Sequence, residues 1–528
     1  MRRRLSAVIA ASAVVAASGL SAGCAPVNSA AIKGPFGALL AGSTDLGPSR
    51  SGDAQLTVAL PGTASPDELR RWADAHGLRV RWRPGDGWAI VEGAARDIGH
   101  AFDVPVNDYR GRKGQLFYAS PEQPDVPADL DESVDGVGRI MGYTPHHTKR
   151  PDIALDVPKG GLRPEGLLDA YNATPLVKEG HTGEGETIVF FAFDAFTQAD
   201  LDMFADTSGL PRFTPVVVGG LPDAEHGETT MDLQVAHAIA PDARLVVVNA
   251  RSTLEGDGAY EKIGRMFEDA DRQFPGAIWS LSIGWACDEF VSAVDLEPVE
   301  AALARAQSHG TSAFDATGDN AGLECKGADE WSAPPNANDV GLDAISSLPR
   351  MTAVGATTLS TGPRGQWLAE YPWIDSPLSQ GTSGGVSALF DRPAWQKKLS
   401  VTRDTNGRRL SPDVAAVGDP LTGVRFIYSG NEYVGAGTSQ AAPIWAALTV
   451  LMNQYVKAHG GRPLGNINPL LYRVAAGADL PGFRDIHQGG NAVDMSQPGY
   501  DLVIGLGSPN TYNLAKNLLE IQSRVTPE

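Results

Sequence analysis

The chain contains GTSQAAP at residues 437–443, followed by the apolar run IWAALTVLM at residues 444–452. This stretch is the most informative one about the fold. Small residues after a Gly-Thr pair predict the start of a buried helix, with Ser439 in its first turn. Backbone N–H groups and the helix dipole favour an oxyanion at such a position. Ser439 could equally be a simple N-cap residue. The motif by itself leaves both interpretations open.

Upstream of this motif, apolar β-rich runs alternate with helix-like segments from residue 164 onward. The predicted strands are residues 187–193, 215–219, 244–250, 277–283 and 312–316, and the predicted helices include residues 199–204 and 296–308. Continuous apolar strands separated by amphipathic helices are typical of a parallel sheet with helices on both faces. We therefore predict an α/β domain over residues 164–528.

A smaller α+β unit is predicted ahead of it, at residues 53–143. Its predicted elements are strands at residues 55–60 and 88–92 and helices at residues 65–76, with Ser65 as N-cap, and 94–102. Residues 144–163 are rich in proline and charge and are predicted to be an exposed linker. We also expect residues 24–52 to be an exposed N-terminal linker.

The first 23 residues are typical of an export signal. Three arginines precede an apolar run at residues 5–20, and small residues follow at 21–23. The run is short for a membrane span, which needs about 20 apolar residues. Cys24 comes next, so this segment is either simply cleaved or is a bacterial lipoprotein site whose thiol carries lipid. Both interpretations place the protein outside the cytoplasm, secreted or attached to the cell envelope.

The composition excludes several classes of protein. Of 528 residues, 42% are hydrophobic and 20% charged, which excludes a disordered chain and a polytopic membrane protein. A net charge of −20 disfavours nucleic acid as a partner. Three cysteines are too few for a disulfide scaffold or a Cys-rich metal cluster. In an oxidising compartment Cys287 and Cys325 are predicted to form a disulfide, with two buried thiols as the alternative.

Two acidic motifs indicate candidate catalytic or ligand-binding residues. Glu228 and Asp232 are four residues apart in apolar surroundings, so a buried helix would let them share one proton. The alternative is a solvated acidic face. Asp319 lies in the turn ATGDNAG at residues 316–322, after an apolar strand. Ligands bind at such strand ends in α/β sheets, although an ordinary turn is the alternative.

In combination, Glu-x-x-x-Asp, a strand-end Gly-Asp and Gly-Thr-Ser-x-x-x-Pro, in that order, resemble the sedolisins, the serine-carboxyl peptidases. The similarity extends over nearly the whole chain after the signal, and the first unit resembles the family's activation domain. The resemblance implies a subtilisin-like fold in which Ser439 is the nucleophile and Glu228 the general base. Asp232 would hold Glu228, and Asp319 would be a protonated acid that donates to the oxyanion.

The resemblance also implies how the protein is regulated. Free carboxyls have a pKa of about 4, well below the 6.5 of imidazole, so such a site would work in acid and be nearly silent at neutral pH. The first unit would be an intramolecular inhibitor, removed by self-processing within residues 144–163. The substrate would be a protein or peptide, and we expect a monomer.

A single structural Ca²⁺ is a further implication of the resemblance. Asp485 and Asp501 would supply carboxylates, and Ile486, Gln497 and Gly499 would supply backbone oxygens. An all-oxygen shell from loops is what Ca²⁺ accepts. The alternative is a closed turn without a metal.

Two rival interpretations remain. A conventional subtilisin would need a catalytic His where Glu228 stands. A non-catalytic cell-envelope binding protein on a peptidase fold is a different class of function. All four catalytic positions hold the required residue types, which argues against it.

Overall fold

The computed structural model describes residues 31–112, 114–144, 146–148, 160–326, 337–375, 380–403 and 405–524. The predicted signal segment and Cys24 lie outside the described residues, and so do residues 149–159 of the predicted linker. Within the described ranges, none of the helices combines the length and the hydropathy that a membrane crossing requires.

The larger unit is built on an eight-stranded sheet. Its strand order is Val216–Val218, Arg244–Asn249, Thr187–Ala192, Ile278–Leu281, Ser312–Ala316, Thr352–Thr361 and Trp367–Pro372, and Val414–Val417 pairs additionally with Thr352–Thr361. All pairs are parallel except the one with Trp367–Pro372, which is antiparallel. The predicted α/β architecture is thereby confirmed.

Helices cover both faces of this sheet. Ile188 and Phe190 belong to the hydrophobic core on one face, and Val189 and Phe191 belong to the core on the other. Because successive side chains of a strand point to opposite faces, a continuous apolar strand needs a covering layer on each side. The helices of this unit are Gly166–Ala170, Thr174–Lys178, Gln198–Ser208, Glu228–Ile239, Ala259–Gln273, Glu297–Ser308, Thr438–Ala458, Asn468–Ala475 and Thr511–Arg524.

The smaller unit is an antiparallel sheet packed against two helices. Its strand order is Arg79–Arg81, Trp88–Gly93, Ala54–Ala59 and Gly136–Val137, and its helices are Asp67–Ala75 and Ala95–Ala101. The predicted N-cap is wrong, because the helix begins after Pro66 and Ser65 Oγ instead donates to Asp67 Oδ1 at 2.7 Å. A residue before proline is disfavoured in the helical region, which moves the start of the helix beyond Ser65.

The expectation of an exposed N-terminal linker is wrong for part of residues 24–52. Gly34–Ala41 is a helix, and Thr44–Pro48 is a strand that pairs with Asn107–Arg110. Phe36 is fully buried in the same core as Trp285 of the larger unit. A short apolar stretch, GPFGALLA, folds here because both units supply it with partners.

The second predicted linker also contains regular structure. His146–Thr148 is a strand that pairs antiparallel with Ile283–Trp285 of the larger unit, with Thr148 opposite Ile283. This segment is held by backbone pairing and has no apolar periodicity. Its polar, proline-flanked sequence therefore does not predict a strand.

Charged contacts join the two units. The Arg81 guanidinium donates to both carboxylate oxygens of Glu261, at 2.7 and 2.8 Å. Arg265 Nη2 donates to Asp86 Oδ2 at 2.7 Å, so one arginine comes from each unit. The Arg139 N–H donates to Asp295, a buried carboxylate whose pKa is raised by burial.

Candidate active site

The candidate site lies at the carboxyl edge of the parallel sheet. Three neighbouring strands are each followed within three residues by a polar side chain: Asp194 after Thr187–Ala192, Ser282 after Ile278–Leu281 and Asp319 after Ser312–Ala316. The carboxyl ends of parallel strands meet at one edge, which is where α/β sheets bind ligands.

Ser439 is the second residue of the helix Thr438–Ala458, called here the serine helix. The N-cap position is occupied by Gly437, whose φ of 92° favours glycine. Ser439 is fully buried, and its Oγ donates to the carbonyl of Ala436 at 3.3 Å. The interpretation of Ser439 as a simple N-cap is therefore wrong. Its hydroxyl lies in the first helical turn, where the backbone N–H groups are unpaired within the helix.

Glu228 and Asp232 lie on the helix Glu228–Ile239, called here the carboxylate helix, every residue of which is buried. Glu228 is 9% exposed and Asp232 5%, so the alternative of a solvated acidic face is excluded. Burial raises the pKa of Asp232 well above its usual range, and the charge of Asp194 raises it further. Asp232 shares hydrogen bonds with Glu228 and Ser282.

Ser282 connects the acidic pair to the serine helix. Its Oγ donates to the Ser439 carbonyl at 3.3 Å while it also bonds with Asp232. The carboxylate helix and the serine helix pack directly against each other. A cavity of about 130 Å³ opens beside them, lined in part by Asp194, Glu228, Asp232 and Ser282.

Asp319 is held against the start of the serine helix and is 1% exposed, unlike an ordinary turn residue. Its Oδ1 accepts the Thr438 N–H and the Thr438 hydroxyl, both at 2.8 Å. Thr438 Oγ1 in turn accepts the Gly318 N–H at 3.0 Å. These bonds place the Asp319 carboxyl next to the residue that precedes Ser439.

Sequence reasoning did not single out Asp194, Ser282 or Thr438. Asp194 had a usable signal, because it follows a predicted apolar strand just as Asp319 does, whereas Ser282 lies inside the strand predicted at residues 277–283. Thr438 lies inside the quoted motif, but its role depends on a turn about 120 residues upstream, at Gly318 and Asp319.

The five residues of the predicted calcium site lie close together. The Gly499 N–H donates to both oxygens of Asp485, at 3.1 and 3.0 Å, and the Gln497 N–H donates to Asp501 Oδ2 at 3.2 Å. Asp501 is 1% exposed, and the neighbouring Ile486 is also buried. The Asp485 and Asp501 carboxylates thus each accept a backbone N–H in this loop, and carboxylate oxygens are ligands that suit a hard cation.

The predicted disulfide between Cys287 and Cys325 is confirmed, with Cα atoms 4.8 Å apart. Across the described ranges, the single cluster of three potential metal-ligating side chains is Cys287, Asp288 and Cys325. Sulfur atoms bonded to each other offer no thiolate, so the cluster is a crosslink. It ties the segment after Ile283–Trp285 to the segment after Asp319.

Comparison with known proteins agrees with this geometry. A family model described as the pro-kumamolisin activation domain matches residues 57–142, and one described as the subtilase family matches residues 218–464. Kumamolisin from Bacillus sp. (strain MN-32) is 28% identical over 491 residues, covering 87% of this chain and 84% of kumamolisin. Sedolisin from Pseudomonas sp. (strain 101) is 26% identical over 380 residues, covering 68% of this chain and 62% of sedolisin.

A solved structure shares the fold. It is Pseudomonas sedolisin, a serine-carboxyl proteinase, complexed with two molecules of pseudo-iodotyrostatin. The match has a TM-score of 0.58 at 23% identity and covers 68% of this chain and 98% of that one. The chain is a sedolisin-like serine-type peptidase, homologous to kumamolisin and sedolisin, with a pro-kumamolisin activation domain ahead of a subtilase-family peptidase domain.

Proposed function

We propose that the protein is an exported, acid-acting endopeptidase zymogen that processes itself at low pH. Ser439 is the nucleophile, Glu228 the general base, Asp232 the group that holds Glu228, and Asp319 the acid that stabilises the oxyanion. The observation that carries the proposal is that Asp319 binds the first turn of the serine helix, while Ser282 links the buried Glu228–Asp232 pair to the same helix.

The reaction follows from these positions. Ser439 Oγ attacks the carbonyl carbon of the peptide bond while Glu228 accepts the hydroxyl proton. Glu228 then gives that proton to the leaving amine, which leaves an ester on Ser439. Water attacks the ester with Glu228 again as the base. Glu228 then returns that proton to Ser439 Oγ, and the acid product leaves.

Asp232 orients the base by carrying the proton of the pair. Ser282 Oγ lies within hydrogen-bond reach of both the Ser439 carbonyl and the Asp232 carboxyl. The raised pKa of Asp232 favours a proton on that carboxyl, and a protonated Asp232 donates to Glu228. Glu228 is then the charged member of the pair and is held as an acceptor.

Asp319 stabilises the negative charge that develops on the substrate oxygen. Because Oδ1 accepts two hydrogen bonds from Thr438, we assign the acidic proton to Oδ2. A protonated carboxyl and the Ser439 N–H would donate together to the tetrahedral oxyanion. Raising the pH removes that proton and puts a negative charge where another must form. Activity is therefore expected in acid and lost as the pH rises.

The strand His146–Thr148 supports self-inhibition and self-processing. It pairs with Ile283–Trp285, which begins directly after Ser282 beside the acidic pair. A peptide that adds a strand to this edge takes up the same backbone hydrogen bonds that a substrate would use. We propose that this strand fills the substrate groove of the zymogen, with cleavage in the remainder of residues 144–163.

Residues 1–23 would be removed on export. Cys24 would either carry lipid or, after simple cleavage, begin the chain without lipid. The domain boundaries proposed for the folded part are residues 53–143 for the activation domain and 164–528 for the peptidase, acting as a monomer.

One structural Ca²⁺ is proposed at Asp485 and Asp501, with backbone oxygens of Ile486, Gln497 and Gly499. When bound, the ion would supply positive charge to a loop that holds two carboxylates, one of them buried. Adding calcium is expected to raise the melting temperature, and Asp501→Asn is expected to abolish that rise. Asp479→Asn, at an exposed carboxylate, is the matched control. An equal rise in Asp501→Asn would refute the site.

The function is tested by stepping the signal-less protein from neutral pH to about pH 4, near the pKa of free carboxyls. Wild type is expected to lose its first unit by a cut within residues 144–163, as mapped by N-terminal mass spectrometry. Ser439→Ala is expected to stay intact, and Ser400→Ala, at an exposed serine, is expected to behave as wild type. If all forms stay intact and peptide libraries are not hydrolysed in acid, the binding-protein alternative replaces this proposal.

A further inference from the structure

Asp194 connects the first strand of the sheet to the start of the carboxylate helix. It is 3% exposed and follows Thr187–Ala192 by two residues. Its Oδ2 accepts the N–H groups of His226 and Glu228, at 3.1 and 2.9 Å. Its Oδ1 accepts the N–H of Thr229 at 3.0 Å and the hydroxyl of Thr229 at 2.5 Å. All four bonds fasten residues 226–229, the stretch that places Glu228.

The same four donors surround Asp194 at the N-terminus of the 12-residue carboxylate helix, the positive end of the helix dipole. The titratable and charged groups that face it across the cavity are Glu228, Asp232, His226 and Arg251. Arg251 is exposed, whereas Asp232 is buried and feels the charge of Asp194 directly.

We propose that Asp194 is a positioning residue of the reaction: it fixes the backbone of residues 226–229 and thereby places Glu228. The inference rests on the proposed function, because it takes Glu228 as the base. It adds a fourth buried carboxyl to the three of the proposed catalytic set.

Two measurable effects follow from removing this carboxylate. A displacement of about 1 Å at the base costs on the order of 100-fold in rate, and the backbone of residues 226–229 loses bonds that hold Glu228 in place. Loss of the negative charge lowers the pKa of the acidic pair, because an anion nearby opposes its ionisation. The acid limb of the pH–rate profile, which reports the acidic pair, should therefore move to lower pH, whereas the high-pH limb assigned to Asp319 should stay in place. A merely structural defect would not cause this pattern.

Asp194→Asn is the decisive variant, because asparagine caps helices as well as aspartate does. Its amide nitrogen would face N–H donors where Oδ2 now accepts. We expect kcat on quenched peptides to fall about 10- to 100-fold with KM unchanged. In the profile of kcat/KM, measured from about pH 3 to pH 7, the acid limb is expected to shift to lower pH.

Asp200→Asn is the matched control. Asp200 is also buried, at 4% exposure, and accepts the N–H groups of Ser429 and Gly430, at 3.1 and 2.8 Å. It caps a different segment and does not line the cavity beside Glu228. Its variant is expected to keep the wild-type pH profile, whatever its stability.

Each outcome decides the proposal. An Asp194→Asn protein with wild-type kcat and an unshifted profile overturns it, whereas an inactive wild type would overturn the proposed function instead. If Asp194→Asn does not fold, Asp194→Glu replaces it. That variant keeps the charge but displaces the oxygens, so kcat should fall about tenfold or more with unshifted limbs. Wild-type kcat in Asp194→Glu overturns the positioning role.

Discussion

At the scale of single residues, two substitutions test the proposed role of Asp319 as the acid that stabilises the oxyanion. Asp319→Ala removes the acid and is expected to lower kcat on the order of 10²- to 10³-fold, the usual effect of losing one oxyanion donor. Asp319→Asn keeps a neutral donor at every pH, since its oxygen can still accept from Thr438. It is expected to lose less activity and to retain more of it towards neutral pH.

The measurement is kcat/KM against pH for both Asp319 variants, with Asp223→Asn at an exposed position as the control. If the alanine variant keeps wild-type activity, or the asparagine variant declines with pH as the wild type does, Asp319 is not the acid that limits the reaction at high pH.

Of the buried polar residues at the candidate site, those that stand in motifs were predictable from the sequence. Glu228, Asp232, Asp319 and Ser439 stand in motifs whose spacing is visible in the chain. Asp194 is different, because its partners begin 32 residues further on and become neighbours only when two segments meet at the edge of the sheet. A single Asp after a strand carries no spacing pattern, so only the strand-end rule could have drawn attention to it.

At the scale of elements, the carboxylate helix carries a histidine that makes the fold sensitive to acid. His237 stacks on Phe213 with ring centroids 3.8 Å apart, and its Nε2 donates to the Pro211 carbonyl at 2.7 Å. Burial lowers the pKa of His237. Below about pH 6.5, the usual value, the unfolded chain gains a proton that the folded chain resists. This residue therefore contributes stability that is lost as the pH falls through its folded pKa.

His237→Gln is expected to lower the melting temperature at neutral pH, because the ring stacking is lost. Between about pH 7 and pH 5, its melting temperature should fall less steeply than that of the parent. The comparison uses a Ser439→Ala background, so that processing does not interfere, with exposed His100→Gln as the control. Parallel slopes in all three proteins would contradict the assignment.

Some helices and strands were predicted from the sequence and others were not. The difference is whether the element is stabilised by its own apolar pattern or by contacts with distant residues. The strand Ser312–Ala316 and the helix Glu297–Ser308 follow their apolar periodicity, and the predicted bounds differ from the observed ones by at most one residue. Gly34–Ala41 and His146–Thr148 have no comparable pattern. The first gains its order from burial of Phe36 against the larger unit, and the second from backbone pairing with Ile283–Trp285.

At the scale of the whole molecule, the N-terminal helix Gly34–Ala41 fastens the activation domain to the peptidase. Phe36 is fully buried, and the Arg139 guanidinium lies 5.0 Å over its ring. Phe36→Ala is expected to destabilise the docked state by about 3–5 kcal/mol, the usual cost of truncating a buried phenylalanine. The lag before peptidase activity appears after acidification should shorten.

Leu46→Ala is the control in the same segment, because Leu46 is 46% exposed. Time courses of peptide hydrolysis after a step to acid would show the difference. An unchanged lag in Phe36→Ala, with its fold intact, would mean that the helix does not limit release of the activation domain.

The strand His146–Thr148 has a consequence for how activation depends on protein concentration. While the chain is intact, this strand is tethered to its own groove at an effective concentration in the millimolar range. Once the linker is cut, the same strand becomes an ordinary bimolecular ligand governed by mass action. A dilute solution of cut protein would then lose its inhibitor by dissociation alone. A concentrated solution of cut protein would stay largely inactive until the released fragment is itself digested.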